Sequence, residues 1–288
     1  MHSPTTTDPF RLHAVTKRYA RGKGKDTTTF ALGPLDLTVP RGYVTGLVGA
    51  NGAGKTTAIK IALGLVRPDS GEAHLIDKAR IGVVFDQPSY VGDWTATHVG
   101  RALAPFYPEW DADRYAELLA WSGIEPSKKV KELSRGMGMR LQLAVALSHG
   151  AELLVLDEPT GGLDPLARSE LLEMIADFMT DASHSVLFST HITSDLEKVA
   201  DYITVLHAGR VVSATTRDEL IDGYRLVRGP AAELDAVRPL VLGLREHGAG
   251  WEGLMATDDT VALGRRTLAE APTLEEIVVH LGKEPSHV

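Results

Sequence analysis

Short uninterrupted apolar runs recur along this 288-residue chain, each leading through a turn into a stretch with helical spacing. Val44-Thr45-Gly46-Leu47-Val48 is followed by a glycine-rich turn and a helical pattern from Thr56 to Leu63 that Gly64 stops. Leu153–Leu156, Val186–Ser189 and Ile203–Leu206 repeat the scheme. Continuous short apolar runs separated by helices predict the strands of a largely parallel sheet covered on both faces. Upstream, residues 11–16 and 35–48 are rich in Val, Leu, Thr and Tyr and are broken by Gly33-Pro34 and Pro40-Arg41-Gly42. They predict short strands joined by turns, with Arg21 to Thr29 as an exposed hairpin loop.

Residues 89–150 read as mostly helical, a lobe inserted into the sheet domain. From about Gly223 the pattern changes to Tyr224-Arg225-Leu226-Val227 and then to glycine-broken segments. It closes with Thr273-Leu274-Glu275-Glu276, a capping-box sequence opening an amphipathic helix. The expected organisation is a main domain over 10–222, with the helical subdomain at about 89–150, and an accessory α+β region over 223–288. No internal repeat, heptad array or low-complexity tract is present.

Composition narrows the functional classes. A formal charge of −8 with no long Lys/Arg run argues against nucleic acid as a partner, and the basic cluster Arg18, Arg21, Lys23 and Lys25 reads as a solvated loop. With no cysteine, disulfides, thiolate zinc sites and cysteine nucleophiles are excluded, and a reducing cytoplasm is allowed. The N-terminal residues lack the charged-then-apolar pattern of a secretory signal. No stretch approaches the roughly 18 apolar residues that cross a bilayer, so a membrane role requires another chain.

Two segments carry chemistry. Gly49-Ala50-Asn51-Gly52-Ala53-Gly54-Lys55-Thr56 fits G-x-x-x-x-G-K-[ST] at every specified position and lies between a predicted strand and a predicted helix. In such a loop backbone N–H groups turn inward around phosphates, the helix N-terminus adds its dipole, Lys55 reaches the β- and γ-phosphates and Thr56 ligates Mg²⁺. The second segment, Leu153-Leu154-Val155-Leu156-Asp157-Glu158, is an apolar strand ending in two carboxylates. Beside the loop, Asp157 would join the Mg²⁺ shell and Glu158 would face an attacking water.

In this order the motifs resemble those of ABC-transporter nucleotide-binding subunits, over roughly residues 10–220. The resemblance implies a P-loop α/β fold with a mostly parallel core sheet, an antiparallel β subdomain and an inserted helical subdomain. Tyr19 resembles the family's adenine-stacking aromatic. Gly49, Asn51, Gly52, Ala53, Gly54, Lys55, Thr56 and Thr57 match its phosphate loop. Gln87 matches the glutamine that joins the Mg²⁺ and water site, and Leu133-Ser134-Arg135-Gly136-Met137 stands where the family has LSGGQ. Asp164, in Gly162-Leu163-Asp164, falls in its D-loop, and His191 matches the switch histidine near the γ-phosphate. The implied assignment makes Glu158, His191, Lys55 and Gln87 catalytic and Thr56, Gln87 and Asp157 metal-binding. ATP and Mg²⁺ are the implied cofactors.

The same resemblance implies that Ser134 and Gly136 contact the nucleotide held by a second ATP-binding protomer, in a homo- or heterodimer. Arg135 and Met137 depart from the family pattern, and Arg135 would offer charge-assisted hydrogen bonds to the partner's nucleotide. Signatures of this LS-[RK]-GM type resemble a bacterial subgroup, often of drug-export or antibiotic-response systems, that pairs with a separate integral membrane permease subunit. The expected location is cytoplasmic, peripheral on the membrane through that permease. The alternative is a soluble ABC-class ATPase without a transmembrane partner. Residues 85–121 hold eight of the chain's seventeen aromatics, and of these Tyr90 and Trp94 are the expected permease contacts.

Overall fold

β3 (Val44–Val48) is buried at every position, as are β6 (Leu153–Asp157) and β7 (Ser185–Thr190). Strands with no solvent face belong to a sheet covered on both sides. The computed structural model describes residues 8–21, 28–248 and 250–283. It places these strands at the centre of a six-stranded sheet in the order β5-β6-β7-β3-β8-β9. Here β5 is Ile81–Val84, β8 is Tyr202–His207 and β9 is Arg210–Thr216. All pairings are parallel except that of β9, an antiparallel edge strand. The expected α/β architecture is therefore present.

A second, antiparallel sheet of order β2-β1-β4 contains β1 (Phe10–Arg21), β2 (Thr28–Val39) and β4 (Ser70–Leu75). The expected short strands are replaced by two of 12 residues each, and Gly33-Pro34 lies inside β2 rather than between strands. Register shifts between Leu12 and Val15 and between Val15 and Lys17 absorb the irregularity, so pairing resumes beyond it. β4 carries no apolar alternation to announce it and is almost wholly exposed. Residues 22–27, with Lys23, Lys25 and most of the expected hairpin loop, lie outside the described residues.

α1 (Lys55–Ala62) follows β3. The helical lobe contains α2 (Ala96–Leu103), α3 (Ala112–Trp121) and α4 (Arg135–Ala146). It has its own core, in which Ala96, Val99, Tyr115 and Leu118 meet Leu141 and Val145 of α4. The opposite side of α4, through Met139, Leu143 and Ala146, enters the core of the sheet domain. One helix thus joins lobe and sheet. α5 (Pro165–Phe178), α6 (Thr193–Val199) and α7 (Arg217–Asp222) complete this part of the chain.

Beyond α7, β10 (Tyr224–Gly229), β11 (Leu242–His247), β12 (Gly250–Ala256) and β13 (Leu268–Glu270) form an antiparallel sheet of order β11-β12-β10-β13. Trp251, 1% exposed, anchors its core with Val227, Leu234 of α8 (Ala231–Val237) and Met255. α9 (Leu274–Leu281) begins at the expected capping box: Thr273 Oγ1 accepts from Glu276 N at 3.2 Å, and Thr273 N donates to Glu276 Oε2 at 2.8 Å. Its apolar face, Leu274, Ile277 and Leu281, packs into the core that also holds Leu196 and Ala200. The accessory region therefore shares a hydrophobic core with the sheet domain.

Candidate active site

The turn from β3 into α1 is shaped by two glycines. A Cβ on Gly49 would lie 2.2 Å from Leu206 O, so the chain can approach β8 there only without a side chain. Gly54, the N-cap of α1, has φ +114°, and a Cβ there would meet Leu32 Cδ1 at 2.7 Å. No acidic residue occupies the first turn of α1, whose free N–H groups and dipole favour an anion.

Lys55, the first residue of that helix, is 5% exposed. A buried ammonium needs partners: its Nζ donates to Gly49 O at 2.6 Å and lies 3.0 Å from Glu158 Oε1. The Glu158 contact is ionic without hydrogen-bond geometry, since Oε1 accepts no hydrogen bond. Parallel pairing of β6 with β7 sets Asp157 opposite Ser189. Thr56 Oγ1 donates to Asp157 Oδ2 at 2.7 Å, and Ser189 Oγ donates to Oδ1 at 3.0 Å. Burial pushes the Asp157 carboxyl above its usual range, outweighing the opposite pull of these two hydroxyls and of Lys55.

Glu158 takes a left-handed backbone, φ 54°, rare for a residue with a side chain and of the kind that marks functional turns. Its N donates to Ser189 O at 2.9 Å, while Oε2 meets His191 Nδ1 at 2.7 Å. Lys55, Thr56, Asp157, Glu158 and His191 thus converge from three adjacent strands. A pocket of about 400 Å³ opens over Lys55, Thr56 and Glu158, lined also by Phe30, Asn51, Gly52, Gly54 and Thr57.

A family model described as ABC transporter matches residues 32–161. The chain is 32% identical to the Nod factor export ATP-binding protein I of Cupriavidus pinatubonensis, over 85% of this chain and 78% of that protein. The chain belongs to the ABC transporter family. It is also 31% identical to the bacitracin transport ATP-binding protein BcrA of Bacillus licheniformis, over 72% of this chain and 69% of the relative. Among solved structures, one described as an ATP binding subunit of an ABC transporter superposes with a TM-score of 0.62 at 26% identity, covering 73% of this chain and 91% of the other. The chain is an ABC-type ATPase and the ATP-binding subunit of a transporter.

The donor set of this ABC ATPase fits Mg²⁺ carried by a nucleotide. The hydroxyl of Thr56 and the carboxylate of Asp157 stand side by side, and among the described residues no group of three His, Cys, Asp or Glu could hold a metal by itself. Mg²⁺ ordinarily takes one or two carboxylates and completes its shell from phosphates and water.

The other sequence-predicted residues of the ABC site are distributed unequally. Tyr19 is exposed and does not line the pocket; its cross-strand neighbour Phe30 does. Sequence reading passed over Phe30, although its alternation with Leu32 along β2 puts both side chains over Gly54. Gln87 is exposed three residues past β5, the strand beside β6. Asp164 caps α5, accepting from Leu166 N and Ala167 N, both at 3.0 Å. Ser134 caps α4, accepting from Met137 N at 3.3 Å, and neither Ser134 nor Gly136 lines the pocket of its own chain.

Two expectations change. Arg135 is engaged within its own chain, paired with Asp86, rather than held out toward a partner's nucleotide. Tyr90 and Trp94 pack against the core of the helical lobe, where burial pushes the Tyr90 hydroxyl well up. Of the eight aromatics in residues 85–121, Phe106, 74% exposed, is the most open to solvent, followed by Trp121 at 45%. Their apolar neighbours in α2 and α3 draw Tyr90 and Trp94 inward, whereas Phe106 sits in the turn after α2.

Proposed function

We propose that two copies of this chain enclose two ATP molecules, each between the phosphate loop of one copy and Ser134 and Gly136 of the other. The observation that carries this reading is the location of Ser134 and Gly136 at the exposed N-terminus of a 12-residue helix, outside the pocket lined by Lys55 and Thr56. A helix N-terminus with a serine cap favours an anion, and in this geometry that anion belongs to a second copy. Phe30 faces the adenine side of the pocket, and Tyr19 extends the same strand pair.

Within each site Lys55 binds the phosphate chain, and the loop glycines bring backbone N–H groups against it. Thr56 and Asp157 would hold Mg²⁺, with Gln87 reaching them from beside β6. The metal would neutralise charge on the phosphate oxygens. Glu158 orients water and accepts its proton, and His191, bonded to Oε2, fixes that carboxylate and stands beside the γ-phosphate. Closure and reopening of the dimer then drive a separate integral membrane permease on the cytoplasmic face. Export is the direction supported by the Nod factor relative. Residues 10–222 carry this machinery, and 223–288 form the accessory region.

Glu158→Gln should bind ATP and accumulate as a closed dimer with kcat lowered by roughly 10²–10⁴. Lys55→Ala should bind nucleotide poorly. Light scattering with ATP reads the first effect and equilibrium binding the second. Hydrolysis at the normal rate in Glu158→Gln would remove Glu158 as the base, and purification from native membranes without an integral membrane protein would overturn the transport reading.

A further inference from the structure

The guanidinium of Arg135 pairs with Asp86 and lies over the peptides of Gly161 and Gly162. A Cβ on Gly162 would meet its Nη1 at 2.8 Å, and one on Gly161 would meet its Nη2 at 3.0 Å. About two turns further along α4, Gln142 is 2% exposed and bonds both backbone polar groups of Phe85. Its Oε1 accepts from Phe85 N at 3.1 Å and its Nε2 donates to Phe85 O at 2.9 Å. Helix α4 therefore grips the segment next to Gln87 at two points. One is neutral and buried, the other charged and half-exposed.

We propose that Arg135 is a positioning residue that ties Gln87 to the N-terminus of α4 and to the turn at Gly161-Gly162, so that nucleotide held by Ser134 and Gly136 in one site affects Gln87 in the other. The inference rests on the two-copy reading above. Under that reading the start of α4 and the turn before Asp164 face the second copy, whereas Gln87 serves the pocket of its own chain. Arg135 belongs to the first, lies against the second and pairs with Asp86, the residue before Gln87. Its planar fork pairs with the Asp86 carboxylate through Nη2, which also lies nearest Gly161, while Nη1 lies nearest Gly162, an arrangement a lysine could not reproduce. Because both charges are half-exposed, the joint is weak and screened by salt. It is the yielding clamp, and Gln142 is the fixed one.

The test is ATP hydrolysis by the full chain as a function of ATP at low and high ionic strength, with dimer formation followed in the Glu158→Gln background. Asp86→Asn and Arg135→Gln should each lower the Hill coefficient toward one and reduce kcat roughly two- to fivefold. Nucleotide affinity of the isolated protomer should stay unchanged. Added salt should depress cooperativity in the parent chain and leave it unaltered in the variants. Arg135→Lys should restore part of the effect, and the reversed pair Asp86→Arg with Arg135→Asp more than either single change. If Asp86→Asn dimerises with ATP and keeps the parent's Hill coefficient and salt response, the inference fails while the dimer stands. If Glu158→Gln forms no ATP-dependent dimer, the two-copy reading fails and takes the inference with it.

Discussion

Asp157 sits 3% exposed at the end of β6 with two hydroxyls donated to it, and burial still raises its carboxyl above the ordinary range. A carboxyl whose folded value lies above the unfolded one favours the fold fully below the unfolded value, about pH 4. That contribution is lost as pH rises through the folded value. Asp157→Asn should therefore stabilise the chain measured without nucleotide, and the gain should be larger at pH 7 than at pH 4. Thermal melts at the two pH values check this; about 2–4 °C would correspond to ~1 kcal/mol in a chain of this size. A rise that is equal at both pH values would show that the charge is not its cause. Under the proposed function, in which Asp157 would hold Mg²⁺ with Thr56, the same substitution should abolish Mg²⁺-dependent hydrolysis. Asp157, Glu158, Lys55 and Thr56 were legible from their motifs because each is fixed by local spacing. Phe30 was not, because its place over Gly54 follows from how β2 folds across the phosphate loop.

Elements differ in how strongly their own sequence commits them. α9 is announced by Thr273 and Glu276, and the structure closes that capping box in both directions. Leu274 N additionally donates to Glu197 Oε1 at 2.9 Å, so the start of α9 is bound to α6, the helix that follows His191. Thr273→Ala should cost about 1 kcal/mol, read as a lowered midpoint in urea with an unchanged slope. An unchanged midpoint would mean that packing on α6, not the cap, holds the helix. β4 and β5 lie at the opposite extreme. β4 is exposed and polar, and β5 has only four residues, so neither supplies a periodic pattern long enough to read. They are strands because β1 and β6 give them partners.

At the scale of the molecule, the core runs without interruption from β7 and α6 into β12 and α9. The accessory region is therefore expected to unfold together with the ATPase domain. Trp251, 1% exposed with its indole N–H donated to Pro230 O at 3.0 Å, is the largest fully buried side chain of that region. Trp251→Ala should cost about 3–5 kcal/mol. The expected result is one thermal transition moved down as a whole, with faster hydrogen exchange in α6. A separate early transition, leaving α6 protected, would show the two parts to be energetically independent. Sequence reading separated them at 222/223 by a change of pattern. β10 belongs to a different sheet from β9, and a change of pattern says nothing about the core the two parts share.

By itself the sequence determined the phosphate loop, the paired carboxylates, the apolar strands that carry them and the capping box of α9. These depend on neighbours a few residues apart, where steric and hydrogen-bonding requirements can be read directly from residue types. Only the tertiary structure decided the chain pairing that brings Thr56 to Asp157 and Glu158 to His191, the choice of Phe30 over Tyr19 for the pocket wall, and the turn of Arg135 onto Asp86. Each joins segments whose separation along the chain carries no record of their meeting. Strand order and the packing of α4 against two cores set those distances, and both are properties of the folded whole.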